Sequence, residues 1–265
     1  MCSNSLKKPA ATPLDGVDVL GVRVAALTLA ELHARIADHI RHKRHALVLH
    51  VNAHGLNLAY KQRWLRDFLH TAATVFCDGV GVVLGARLLG YRIPHRITYA
   101  DWMWQLAEFA QSRDFSFFFL GARPGIAEKA AERLRECFPS LHIVGMHHGY
   151  FDKTAGNAEN GAVLQVINAA SPSILIVAFG MPEQERWLME NWDCVNADVA
   201  LTGGAVFDYI SGELRRGPRW MTDNGFEWLA RMLIEPKRLW RRYLFGNPLF
   251  LWRVLKQRLG WLRFD

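Results

Sequence analysis

Residues 74–90 read TVFCDGVGVVLGARLLG. An apolar run ends on Asp78, the glycines Gly79 and Gly81 follow, and a segment with helical periodicity begins. A buried strand that turns through glycine into a helix is the repeating step of a parallel α/β sheet. The carboxylate at the lip of that strand has several readings. It can cap the following helix, hold a ribose as acids do in dinucleotide folds, or take a proton from a hydroxyl nucleophile.

The same step recurs along the chain. ALVLHVN (46–52), FSFFFLG (115–121), LHIVGMHHG (141–149), SILIVAFG (173–180) and the start of DVALTGGAVFDYISG (198–212) read as strands. Helical patterns stand between them at 56–70, 124–137, 162–170 and 181–192. The alternation predicts an α/β fold: a mostly parallel sheet with helices on both faces. Ligands of such sheets bind at the carboxyl ends of the strands. Asn52, Asp78, Gly121, Gly180, Gly203 and Gly204 all fall there. Glycines at those ends either let backbone N–H groups approach a phosphate-bearing ligand or serve tight turns. Taken together on one rim, they favour a nucleotide-bearing ligand.

A chain of 265 residues, 51% hydrophobic and 22% charged, suits one large domain with or without an appendage, and excludes disorder. No apolar run reaches the roughly 18 residues of a membrane span. Residues 1–16 contain two lysines and no apolar h-region, and read as a flexible lead rather than a secretory signal. Cys2, Cys77, Cys137 and Cys194 show no metal-type spacing and read as free thiols of a reducing cytoplasm.

The net charge of +7 is unevenly spread. Residues 236–265 hold eight Lys/Arg against one acid, and the other 235 residues balance at 24 against 24. This tail also holds Trp240, Trp252 and Trp261, with Pro236 and Gly246-Asn247-Pro248 as helix breaks. Residues 248–262 place Leu249, Phe250, Trp252, Leu255 and Leu259 on one face and Arg253, Lys256 and Arg258 on another. Such a helix suits an anionic membrane surface; the alternative is a helical hairpin packed on the domain. No nucleic-acid recognition motif accompanies the charge.

VNAHGLNLAYK, DGVGVVLGARLLG, RITYADW, FLGARPGIAEKAAERLRE, GMPEQE, TGGAVFDYISGELRRGPRW and EWLARMLIEPKRLWRRYL occur in this order over about residues 46–250. In this order and spacing they resemble the WecG/TagA/CpsF bacterial glycosyltransferases, glycosyltransferase family twenty-six. The resemblance implies a Rossmann-like core, residues 17–227 here, with a membrane-associating helical appendage, residues 228–265. It implies an inverting, metal-independent transferase that needs no cofactor. The donor would be a UDP-sugar and the acceptor a polyprenyl-diphosphate-linked sugar, at the inner face of the cytoplasmic membrane. Asp78 matches the proposed general base, and Asn52 matches the Asn of the family's N-terminal pocket motif. Arg231, Arg238 and Arg241 match appendage arginines that reach the pocket. Gly79, Gly81, Arg96, Asp101, Gln184, Glu185 and Asp208 fall in the motifs expected to contact donor or acceptor, and Arg215, Arg216 and Arg219 form a basic run beside them.

The sequence departs from the family pattern around one pocket. His50 stands where many members carry a catalytic Thr. Asn52-Ala53-His54 replaces Asn-x-Glu, and Tyr99 replaces the Gly of RVxGxD. These departures imply an altered sugar, leaning towards the hexosyl donors of exopolysaccharide synthesis, with His50 kept as a candidate catalytic residue. Two rivals remain on sequence grounds. Gly79-x-Gly81-x-x-x-Gly85 is a loose relative of a nicotinamide-dinucleotide motif, but its spacing is not GxGxxG. A non-enzymatic nucleotide-sugar binder would gain little from a carboxylate beside a diphosphate.

Overall fold

The computed structural model describes residues 16–264; residues 1–15, most of the expected lead, lie outside the described residues. Eight strands form one sheet: β1 Gly16–Val19, β2 Val22–Ala25, β3 Ala46–Val51, β4 Thr74–Cys77, β5 Phe117–Gly121, β6 Ile143–His147, β7 Ile174–Ala178 and β8 Val199–Thr202. Their order is β1-β2-β4-β3-β8-β7-β5-β6. Every pairing is parallel except β1 with β2. The fold is α/β and Rossmann-like, as the strand–helix alternation predicts.

β3, β4, β5, β7 and β8 are buried along their whole length, as strands covered on both faces must be. That is why they read as unbroken apolar runs. Two cores result. One lies under the helices Ala53–Lys61, Arg63–Thr71, Val80–Leu88, Ala158–Ala170 and Glu183–Asn191. The other lies under Leu29–Arg41, Tyr99–Gln111, Ile126–Cys137 and Val206–Ile210.

Several elements were not legible beforehand. The β1–β2 hairpin turns at Leu20-Gly21, both with positive φ, the requirement of a two-residue turn matched to strand twist. The helical pattern at 56–70 is two helices, broken at the extended Gln62. Cys77 and Cys137 carry free thiols, whereas Cys194 is disulfide-bonded, which corrects the free-thiol expectation there.

The C-terminal segment forms three helices: Glu227–Ile234, Pro236–Leu244 and Gly246–Arg258. The last one returns to the sheet. Phe250 and Val254 join the first core, and the Phe250 ring fills the place a side chain at Gly85 would take. Arg253, expected on a solvated basic face, is buried. Its guanidinium donates to Asn57 Oδ1 at 2.7 Å and lies 4.1 Å from the Tyr60 ring centre. Gln257 Nε2 donates to Asp18 Oδ1 at 2.9 Å, and the Leu20 N–H donates to Gln257 Oε1 at 2.8 Å, fastening the helix to the N-terminal hairpin. Among the described residues no helix is long and apolar enough to cross a membrane.

Candidate active site

β3 is the point where the sheet order reverses: β4 lies on one side of it and β8 on the other. A crevice at the carboxyl ends is expected there. A cleft of about 1320 Å³ opens at that point, walled by the strand ends on one side and by the C-terminal helices on the other.

The strand ends are held by the sheet's own hydrogen bonds. The Asp78 N–H donates to the Val51 carbonyl at 2.8 Å, and the Gly203 N–H to the Val177 carbonyl at 2.7 Å. Asn52 caps the helix Ala53–Lys61 by accepting from the Gly55 N–H at 3.0 Å. Burial pushes Asp78 up to about 6, while the charges of Arg231, Arg242 and Arg96 and the neighbouring Asn52 amide pull the other way. Asp78 is no cap: the helix Val80–Leu88 has Gly79 at its N-cap and no side-chain cap bond.

The loop glycines divide by role. Gly79, at φ 90°, and Gly180, at φ 92°, line the cleft in backbone conformations that favour glycine. Gly81 lines it too, and a side chain there would crowd the next helix, meeting Ala53 Cβ at 3.1 Å. Gly121 does not line it. An added Cβ would come within 2.4 Å of the Ala178 carbonyl oxygen, and Ala122 takes its place on the rim.

Gln184 and Glu185, expected as ligand contacts, are buried below the cleft. Gln184 Oε1 accepts from the Gly180 N–H at 3.2 Å and the Gly204 N–H at 3.0 Å, clamping the loops after β7 and β8 together. Gln184 Nε2 donates to Glu185 Oε1 at 2.8 Å. Glu185 Oε2 has no partner, and burial pushes this carboxyl up to about 7. Asp101 also lies off the cleft, paired with Arg216 in a smaller depression that Arg215 and Arg219 share. Gly203, Gly204 and Asp208 line the main cleft, as does Arg96, whose guanidinium donates to the Thr222 carbonyl at 3.0 Å.

His50 lines the floor but is itself buried. Its Nδ1 lies 2.8 Å from the Thr202 carbonyl oxygen, which can only accept, so Nδ1 carries the proton. Burial depresses His50 and His54 to about 4, so both are neutral near pH 7. The departures His50 and Tyr99 meet each other: their rings stand edge to face, 5.1 Å apart. The Tyr99 hydroxyl is buried without a partner.

On the helical wall, Arg231 and Arg238 line the cleft, joined through Glu235 at 3.7 and 2.9 Å. Arg241 does not. It is exposed and stacked 5.1 Å from the Trp240 ring centre, and Arg242 lines the cleft instead. Helix geometry explains the exchange. Leu239 is the buried residue of its helix. At about 100° per residue, Arg241 points roughly opposite to Leu239, whereas Arg242 swings back towards the buried side. The i+4 step from Arg238 was the signal that identifies Arg242. Lys153, bridged to Glu183 at 3.0 Å and lying 4.7 Å from the Phe179 ring centre, is another cleft residue outside the motif reading. Among the described residues no three His, Cys, Asp or Glu side chains come together as a metal site.

A carboxylate at a strand lip facing several arginines across a cleft, with glycine loops between, is an arrangement for charged, phosphate-bearing ligands. The model of the Glycosyl transferase WecG/TagA/CpsF family matches residues 17–263. The chain belongs to that family. An N-acetylglucosaminyldiphosphoundecaprenol N-acetyl-beta-D-mannosaminyltransferase of Staphylococcus aureus is 26% identical over 244 residues, covering 91% of this chain and 93% of that protein. A protein of the same name from Bacillus subtilis is 30% identical over 220 residues, covering 83% and 82%.

Proposed function

We propose that this glycosyltransferase moves a hexosyl or N-acetylhexosaminyl unit from a UDP-sugar to a sugar hydroxyl on a polyprenyl diphosphate, with inversion. Asp78 is the general base. The acceptor oxygen attacks the anomeric carbon, its proton passes to Asp78, and the bond from that carbon to the UDP oxygen breaks. The observation that carries this reading is Asp78, held at the strand lip by its N–H bond to the Val51 carbonyl and faced by Arg96, Arg231 and Arg242. A base with an elevated carboxyl pKa is matched to proton abstraction near neutrality. Departing UDP gains negative charge, and guanidinium groups can neutralise it without a metal ion. The names of the two relatives, which act on a diphosphoundecaprenol-linked sugar, support the acceptor class.

The enzyme would work as a peripheral protein on the inner face of the cytoplasmic membrane, in surface-polymer synthesis. Leu233, Phe245 and Trp261, each about two-thirds exposed, lie in or just after the basic helical wall. Apolar side chains among arginines are the means by which a monotopic surface binds anionic lipid.

The test is UDP release with a panel of UDP-sugars and a polyprenyl-diphosphate-monosaccharide acceptor, comparing wild type with Asp78→Asn. One sugar should turn over, and the variant should bind UDP yet lose about 10³-fold or more in rate. Full activity of the variant would remove Asp78 from the chemistry.

A further inference from the structure

The cleft has two unlike ends. At the ends of β5, β6 and β7 it is polar and aromatic, lined by Arg123, Asp152, Lys153 and Glu183 with the rings of Phe151 and Phe179. Beyond β4 it is apolar, lined by Val80, Leu84, Trp228, Phe250 and Leu251. The charged cluster adjoins this apolar end. Asp78 stands two residues before Val80, and Arg231 stands one helical turn after Trp228.

The apolar lining does not stop at the cleft mouth. Leu84 lines the cleft and is still 42% exposed; Leu88, one turn further along the same helix face, is 38% exposed. The helix Gly246–Arg258 braces this stripe. Phe250 sits against Gly85 and Arg258 donates to the Leu88 carbonyl, and the same helix puts Leu251 into the cleft. An apolar path that leads from an anion site to the surface fits a ligand in which a diphosphate and a hydrocarbon chain are joined in that order. A nucleotide-sugar has no part that would use it.

We infer that the first isoprenoid units of the polyprenyl diphosphate acceptor leave the cleft over Val80, Leu84 and Leu88, beside Leu251. This rests on the acceptor class proposed above. It assigns the polar end of the cleft to the donor nucleotide and the apolar end to the lipid.

Titration calorimetry of the full chain with farnesyl diphosphate and with inorganic diphosphate tests the exit without requiring turnover. Farnesyl diphosphate should bind about ten-fold tighter or better, a modest return for burying part of a prenyl chain. In Leu84→Gln/Leu88→Gln the ratio of the two affinities should fall close to one, and in Leu84→Ala part of the way. Both leucines are partly exposed, so the fold should survive, which thermal melting checks. Val166→Gln, an exposed apolar position on the helix Ala158–Ala170 that does not line the cleft, should keep the wild-type ratio. A wild-type ratio near one, a ratio that survives the double substitution, or an equal collapse in Val166→Gln would each overturn the inference. Sugar transfer with a flat ratio would refute the exit and leave the transferase reading standing. A preserved ratio without transfer to any lipid-linked sugar would do the reverse.

Discussion

The strand-end wall of the cleft and the helical wall hold their charged groups by different means. On the strand-end wall, Asp78 and Gly203 extend the sheet ladder by one hydrogen bond each, and Asn52 is locked as a helix cap. Gln184 ties two loops from below. These positions follow from backbone pairing. On the helical wall, Arg231, Arg238 and Arg242 are placed by helix faces and by the shared carboxylate of Glu235. The helices Glu227–Ile234 and Pro236–Leu244 each bury a single side chain fully, Ala230 and Leu239. One wall is thus pre-organised by the core, and the other is a lightly anchored set of cations leaning over it. The contrast separates two kinds of control: the Asp78 backbone is fixed by the sheet, and the ionisation of its carboxyl is partly set from across the cleft.

The sharpest way to break this picture is at the base. Asp78→Asn should cut kcat by about 10³–10⁴-fold with little change in UDP affinity, measured by single-turnover kinetics and calorimetry. The next effect comes from the helical wall. Arg242→Ala should lower kcat/KM by about 10²-fold, while Arg241→Ala, whose side chain faces solvent, should stay within about two- or three-fold. Equal losses in the two variants would undo the assignment of helix faces.

The pH profile links the walls. The proposed base, Asp78, can take a proton only when ionised, so kcat/KM should rise with pH through about 6 and then level off. Arg242 favours the ionised form. Its removal should therefore move the acid limb to higher pH, whereas a purely structural arginine would leave the limb in place.

The smallest effect tests the pre-organised wall. Folded Glu185 titrates at about 7, above its ordinary value of 4.5. Folding then takes up a proton between those values, so stability is greatest below about pH 4.5 and falls as pH rises through 7. Glu185→Gln should remove that loss. Its Tm should exceed that of wild type by several degrees at pH 8, on the order of 3 kcal/mol, and match it near pH 4. An equal shift at both pH values would show that the ionisation of Glu185 is not the cause.

Much of the fold was legible because parallel strands buried on both faces must be apolar throughout, and the turns between them need glycine and caps. Asn52, Asp78, Gly180 and Gly203 could be placed at the rim from that pattern alone. The β1–β2 hairpin was hidden because four-residue strands carry little periodicity. The break at Gln62 was hidden because neither glycine nor proline marks it.

The sequence by itself determined the central strand–helix alternation, the family, and the rim on which a carboxylate would stand, since these depend on local pattern and chain order. Tertiary structure decided which groups share the cleft. Arg242 rather than Arg241 enters it, Asp101 pairs with Arg216 outside it, Gln184 and Glu185 lie beneath it, and Arg253 is used in packing. Burial, helix rotation and the carboxyl pKa values all depend on what distant segments bring to the same place. In this chain that place is where residues near 50, 78, 200 and 240 converge.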